Sequence, residues 1–130
     1  MMRPDEHALF TKFTGIKFVK YKNKKTQIDG ITFDSKKEAE RYKVLKSMQA
    51  DGLINDLECQ PKFILIPSQY FETIGRRERG VDYVADFRYK DNLGQIIVED
   101  VKSAITAKDK VYRIKRKMVK YFHDVEIVEV

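Results

Sequence analysis

A single cysteine, Cys59, in a chain of 130 residues excludes an internal disulfide framework. No CxxC pair and no Cys/His cluster points to structural zinc. Nowhere do 18 consecutive apolar residues occur, so no membrane-crossing helix is expected. The opening stretch MMRPDEHALFTKF has no apolar run to act as a secretory signal. A Walker loop, a GxGxxG turn and a Ser/His/Asp set are also absent. His7 and His123 are isolated, and each is expected at the surface or a helix end rather than as a base or ligand.

What is present is a well-populated apolar fraction, 42%, beside 35% charged residues. That balance describes one ordinary globular domain able to bury a core without staples. Twenty-six Lys and Arg against 20 Asp and Glu leave a net charge of +6. The excess favours a polyanionic partner without distinguishing DNA, RNA and acidic lipid. A cytoplasmic protein with an anionic partner is the expectation.

Residues 1–20 read as a basic arm ahead of a single domain over 21–130, with a short strand near Ile16–Val19. A solvated tail and a nucleic-acid arm explain its lysines equally well. Asp29-Gly30 is a two-residue hairpin signal and predicts a small ribbon from about Lys24 to Phe33. Ser35 and Glu38 form an S-x-x-E capping box opening a helix over about Lys36–Ala50, with Gly52 as its stop. A strand runs from Leu57 to Pro67, with Pro61 marking an edge or bulge. Gln69–Gly80 is polar and reads as an exposed loop or hairpin tip. Val81–Tyr89 and Gln95–Lys102 are strands joined by Asp91-Asn92-Leu93-Gly94. Thr106 is expected to cap a helix over about Lys108–His123, with Val111, Ile114, Met118 and Phe122 as its apolar stripe. Val125–Val130 closes as a strand.

The chemistry concentrates on the two middle strands. Residues i and i+2 of a strand share a face, so Asp100 and Lys102 lie together and Glu99 and Val101 lie opposite. With the turn centred on Leu93, paired residue numbers sum to 186 and Asp86 faces Asp100. Their Cβ atoms would then be about 5 Å apart. Two carboxylates that close repel unless a cation lies between them. A half-residue slip would separate them. The alternative is an ion pair of Asp100 or Asp86 with Lys102 that holds a sheet edge.

Glu38 is the third acid. The apolar moment of its helix, taken over Ala39, Tyr42, Val44, Leu45 and Met48, points within roughly 25° of Glu38 and roughly 135° away from Glu40. Glu38 therefore faces inward, although the capping role alone also accounts for it. Three carboxylates and a lysine make a hard-cation site suited to Mg²⁺ or Mn²⁺. Such a site suits phosphodiester hydrolysis, with the lysine orienting water and offsetting phosphate charge. From Lys102 to Lys120 there are eight basic residues and one acid. Lys108, Arg113, Lys115, Arg116, Lys117 and Lys120 suit a phosphate backbone, or else form a solvated face. Arg76, Arg77 and Arg79 suit a groove or junction, or else decorate a loose tip. Gln60, entering an apolar strand beside Pro61, is a further residue that could face the site. Cys59 reads as a small buried hydrophobe.

Glu38 on a first helix, Ala85-Asp86 on a strand and Asp100-Val101-Lys102 on the next resemble the PD-(D/E)xK nuclease superfamily. The chain is closer still to a small phage-encoded family classed as a domain of unknown function, whose members resemble that superfamily. Lys22–Thr26, Asp29–Ala39, Gln60-Pro61, Tyr83–Phe87 and Val98–Lys102 carry this second likeness across residues 20–130. The resemblance implies an α/β, restriction-endonuclease-like fold: a mixed central β-sheet flanked by helices, with an N-terminal β-ribbon. It implies catalytic Glu38, Asp86, Asp100 and Lys102, with Glu38, Asp86, Asp100 and the Val101 carbonyl around Mg²⁺ or Mn²⁺. It also implies a DNA endonuclease of the bacterial host cytoplasm, a homodimer acting on branched DNA such as a Holliday junction. Lys36, Lys37 and the basic residues above would contact that DNA. Ala85 stands where the motif name has Pro. The alternative class is a non-catalytic DNA-binding module on the same fold, with an RNA-binding or ribonuclease accessory protein as a third reading.

Overall fold

A computed structural model describes residues 25–130. The basic arm over 1–20 and its strand near Ile16–Val19 lie outside the described residues. The chain divides into two units, residues 1–39 and 40–130.

In the first unit, β1 (Thr26–Ile28) and β2 (Ile31–Phe33) pair antiparallel as the predicted ribbon. Asp29 and Gly30 both take positive φ, 53° and 76°, as a type I′ turn requires. The helix α1 spans Lys36–Ala50, as its caps predict, and the unit boundary falls within it. The Ser35 hydroxyl accepts the Glu38 N–H at 3.1 Å. The Glu38 carboxylate reaches back to the Asp34 N–H at 3.3 Å, one residue earlier than the usual capping box. At the far end, the N–H groups of Gly52 and Leu53 close on the carbonyls of Gln49 and Met48, at 3.0 and 2.9 Å.

The second unit contains the rest. Its strands are β3 (Ile54–Cys59), β4 (Lys62–Ile66), β5 (Gln69–Phe71), β6 (Arg76–Glu78), β7 (Val81–Val84), β8 (Phe87–Asp91), β9 (Ile96–Asp100) and β10 (Ile127–Glu129). A four-stranded sheet has the order β10-β9-β8-β3. Its β10–β9 pair is parallel and the other two pairs are antiparallel, so the sheet is mixed. The parallel pair needs a crossover, and α2 (Lys110–His123) supplies it. The architecture is α/β.

Two predicted strands are each broken in two. Gln60 takes a positive φ of 56° and Pro61 is buried, so Leu57–Pro67 divides into β3 and β4. Val81–Tyr89 divides at Ala85-Asp86 into β7 and β8. The breaks coincide in space. The Gln60 N–H donates to the Asp86 carbonyl at 2.8 Å, and the Ala85 N–H to the Pro61 carbonyl at 3.0 Å. Both chains leave the four-stranded sheet there, and β4 and β7 pair as a separate ribbon. Pro61 thus marks a shared corner rather than a bulge in one strand.

The second helix also departs from expectation. Thr106 and Ser103 bond reciprocally, hydroxyl to N–H, around a short 3₁₀ turn at Thr106–Lys108. The cap of α2 is Asp109, which accepts the Tyr112 N–H at 2.9 Å. The buried residues of α2 are Tyr112 and Val119, while Val111, Ile114 and Phe122 are exposed. Tyr112 and Val119 close a core with Phe63, Leu65, Tyr83, Ala85 and Val98. Only Met118 of the predicted stripe joins its margin. Val44 of α1, counted as inward, is likewise exposed.

From β4–β7 the chain extends into the hairpin β5–β6, matching the expected hairpin tip. Gly80 sits where the returning chain crosses β4's end. A Cβ there would lie 2.3 Å from the Ile66 carbonyl oxygen and 3.1 Å from two further backbone atoms. Gly80→Ala must therefore displace backbone, and we expect a loss of about 1–3 kcal/mol in a urea melt. An unchanged midpoint would show that the crossing is looser than this geometry.

Candidate active site

The turn between β8 and β9 fixes the register on which the site depends. The Asp91 carboxylate accepts the N–H groups of Leu93 and Gln95, both at 2.9 Å, so the loop is centred on Leu93. Phe87 pairs with Glu99, Arg88 with Val98, Tyr89 with Ile97 and Lys90 with Ile96. Each pair sums to 186, as the sequence predicts. The regular ladder ends one step short of Asp86 and Asp100. There the Asp86 N–H donates to the Glu99 carbonyl at 3.1 Å. The Asp86 carboxylate instead accepts the Val101 N–H at 2.7 Å. A side chain replaces the missing ladder bond and ties Asp86 to the segment carrying Asp100 and Lys102.

The adjacent acids of β9 separate onto opposite faces. Glu99 is 2% exposed and held by Arg41 of α1 through a two-pronged pair, Nε to Oε1 at 2.8 Å and Nη2 to Oε2 at 2.6 Å. The Tyr89 hydroxyl donates to the same carboxylate. Burial and this carboxylate push the Tyr89 phenol up to about 12, and the pairing raises Arg41 above its ordinary value. Every group around Glu99 is thus committed to neutralising it.

Asp100 is 3% exposed, and only Lys102 and the Asp86 backbone favour its charged form. Its Oδ2 has no hydrogen-bond partner. The Lys102 ammonium lies 3.6 Å away, an ion pair outside hydrogen-bond range. Burial is the main influence on the Asp100 carboxyl and pushes it from 3.8 to about 6, with Lys102 opposing. Lys102 in turn stands over the ring of Tyr112, 4.2 Å from its centroid. The Tyr112 hydroxyl donates to Glu129 at 2.5 Å, and Arg116 joins that carboxylate at 3.0 Å. Glu129 is the register partner of Asp100 on β10. Asp100, Lys102, Tyr112, Arg116 and Glu129 therefore form one connected cluster. The other orphaned buried polar atom among the described residues is the Tyr83 hydroxyl, whose ring lies 6.2 Å from that of Tyr112.

The expected Asp86–Asp100 pair lies one step beyond the ladder, where half-buried Asp86 turns its carboxylate to the Val101 N–H at 2.7 Å and the Lys102 ammonium stands 3.6 Å from Asp100. Glu38 belongs to the first unit, half-buried, with Glu40 exposed. Gln60 is exposed at the corner, and Cys59 is half-buried with burial raising its thiol. His123 ends α2 against the Ile64 carbonyl at 2.8 Å. Lys36, Lys37, Arg76, Arg77, Arg79, Lys108, Arg113, Lys117 and Lys120 are exposed; Lys115 and Arg116 are half-buried. Arg116 and Lys120 are tied to Glu129 and Glu126, so the basic face of α2 is partly neutralised. Sequence reasoning missed Arg41, Tyr112 and Glu129. The alternation of Ile127 and Glu129 was a usable signal, since it places an acid beside a core residue on one strand face.

Among the described residues no three His, Cys, Asp or Glu side chains form a metal-binding group. The donors at the Asp86–Asp100 end are all hard oxygens, and the orphaned Oδ2 of Asp100 is the observation that fits a cation.

Residues 18–129 match the family model described as "Protein of unknown function (DUF1064)". The chain belongs to the DUF1064 family. No curated protein and no solved structure matches it. No helix among the described residues is long and apolar enough to cross a membrane.

Proposed function

We propose that this DUF1064 protein is a Mg²⁺-dependent DNA endonuclease of the PD-(D/E)xK type, with a restriction-endonuclease-like core, acting on branched DNA. The observation carrying this reading is the Asp100 carboxylate. It is buried, its Oδ2 has no hydrogen-bond partner, and the Lys102 ammonium stands 3.6 Å from that same oxygen. A carboxylate in this setting costs stability unless a cation completes it.

Asp86, Asp100 and the Val101 carbonyl would hold the cation. When bound, Mg²⁺ supplies Lewis-acid stabilisation of the phosphate's developing charge. Lys102 orients the attacking water toward phosphorus and offsets negative charge in the transition state. The Tyr112 ring beneath its ammonium keeps the long side chain from sweeping through solvent. The Asp86 bond to the Val101 N–H fixes the segment's end, so both strands present their groups together. The exposed cations Lys108, Arg113 and Lys117 suit the phosphate backbone. Two nicks across a junction require two copies of the site, which supports a homodimer.

The 3.6 Å Lys102–Asp100 pair favours one competing reading, in which lysine alone satisfies the acid and the protein only binds DNA. The test is cleavage of a labelled four-way junction and a linear duplex of the same sequence, with Mg²⁺, with EDTA and with Asp86→Ala. We expect Mg²⁺-dependent junction cutting that Asp86→Ala lowers at least a hundredfold. Cutting of both substrates would keep the nuclease and discard the branched preference. Shifted but uncut junction in every lane would establish the binding module instead.

A further inference from the structure

The β5–β6 hairpin places large apolar side chains in solvent beside arginines. Tyr70 is 56% exposed, Phe71 39% and Ile74 48%. Tyr70 pairs in register with Arg77, and Phe71 with Arg76, so each face of the ribbon carries an aromatic ring and a guanidinium. A two-stranded ribbon alone is marginally stable in water. This one is fixed at its base by the backbone crossing at Gly80 and by Arg77, whose Nη1 donates to the carbonyl and hydroxyl oxygens of Ser68 at 3.2 and 3.1 Å. Exposed rings on an anchored support are a stacking surface rather than a loose tip.

The charge identifies what the surface takes. Gln69–Gly80 holds three arginines and two glutamates, a net of only one positive charge. The Arg76–Glu78 pair, at 3.5 Å and largely exposed, releases its guanidinium at little cost. So small a charge gives weak pull on a duplex backbone, whereas rings flanked by guanidinium groups suit bases that have lost their stacking partners.

We propose that the β5–β6 hairpin is a wedge that stacks Tyr70 and Phe71 on unpaired bases at a DNA branch point. This deepens the nuclease reading and rests on it for DNA as the partner. The hairpin supplies the preference for branched over linear DNA, and α2 supplies the salt-dependent affinity common to both.

The test uses the full chain in EDTA, so that binding is read without cleavage. Probes are a linear duplex and a four-way junction of the same sequence, the latter with 2-aminopurine at the branch. The variant is Tyr70→Ala/Phe71→Ala/Ile74→Ser, whose sites are exposed and leave the core intact. We expect wild type to prefer the junction about tenfold and to change the 2-aminopurine signal on binding. The variant should lose most of that preference and the signal change. Its duplex affinity should stay within about twofold, with the same salt slope. A variant that keeps the preference, or wild type that binds both probes equally, overturns the wedge while leaving the nuclease reading intact. Wild type that binds neither overturns both.

Discussion

Replacing Asp100 by Asn should make the protein more stable at neutral pH while abolishing the cleavage proposed above. The Asp100 carboxyl ordinarily titrates near 3.8 and is pushed by burial to about 6. Between those values the folded chain holds a proton that the unfolded chain has released. Stability therefore falls as pH rises through about 4 to 6, and above that window the buried charge is carried at full cost. Asn has the same shape without the charge. We expect a gain of about 1–2 kcal/mol at pH 7.5, a few degrees in Tm; the attraction of Lys102 is already contained in the shifted value. At pH 4, where the wild-type acid is protonated, the two melting curves should converge. Added Mg²⁺ should raise the wild-type Tm and leave the variant's unchanged. A residue that costs stability and is indispensable to activity is what a functional site predicts. A variant that melts lower than wild type at pH 7.5 would instead make Asp100 half of a structural ion pair.

The site register was legible because a turn centred on one residue leaves no freedom: Leu93 at the centre fixes every pairing in β8 and β9. Both ends of α1 were legible because Ser35, Glu38 and Gly52 act locally. What failed depended on distant partners. The breaks at Gln60-Pro61 and Ala85-Asp86 cap each other: Pro61 signals an irregularity in its own strand, but nothing local signals the matching break at Ala85-Asp86. The α2 stripe was misjudged because the aliphatic run Val111, Ile114, Met118 and Phe122 competes with Tyr112, whose hydroxyl has a partner only once Glu129 arrives on β10. Asp109 took the cap from Thr106 because Thr106 is bound to Ser103. The role of Glu99 was the hardest to see. An acid in an apolar strand reads alike whether its cation comes from solvent or from a helix 58 positions away.

That difference yields the second large effect, on the opposite face of β9. Arg41→Ala should destabilise the protein by about 3–5 kcal/mol, because Glu99 stays buried and keeps only the Tyr89 hydroxyl. Most of that loss reflects an uncompensated charge rather than the strength of the pair. Arg41→Met with Glu99→Gln should therefore recover most of it: the thioether chain fills the guanidinium's space, and the amide oxygen still accepts from Tyr89. Urea melts of wild type and of the single and double variants measure this directly. Similar instability in both variants would mean that the pair contributes through packing alone. With recovery in the double variant, and a gain for Asp100→Asn, two adjacent acids differ for one physical reason. Glu99 has a guanidinium bonded to both its oxygens, whereas Asp100 has only an ammonium at 3.6 Å, outside hydrogen-bond range, which is the difference on which the proposed cation site rests.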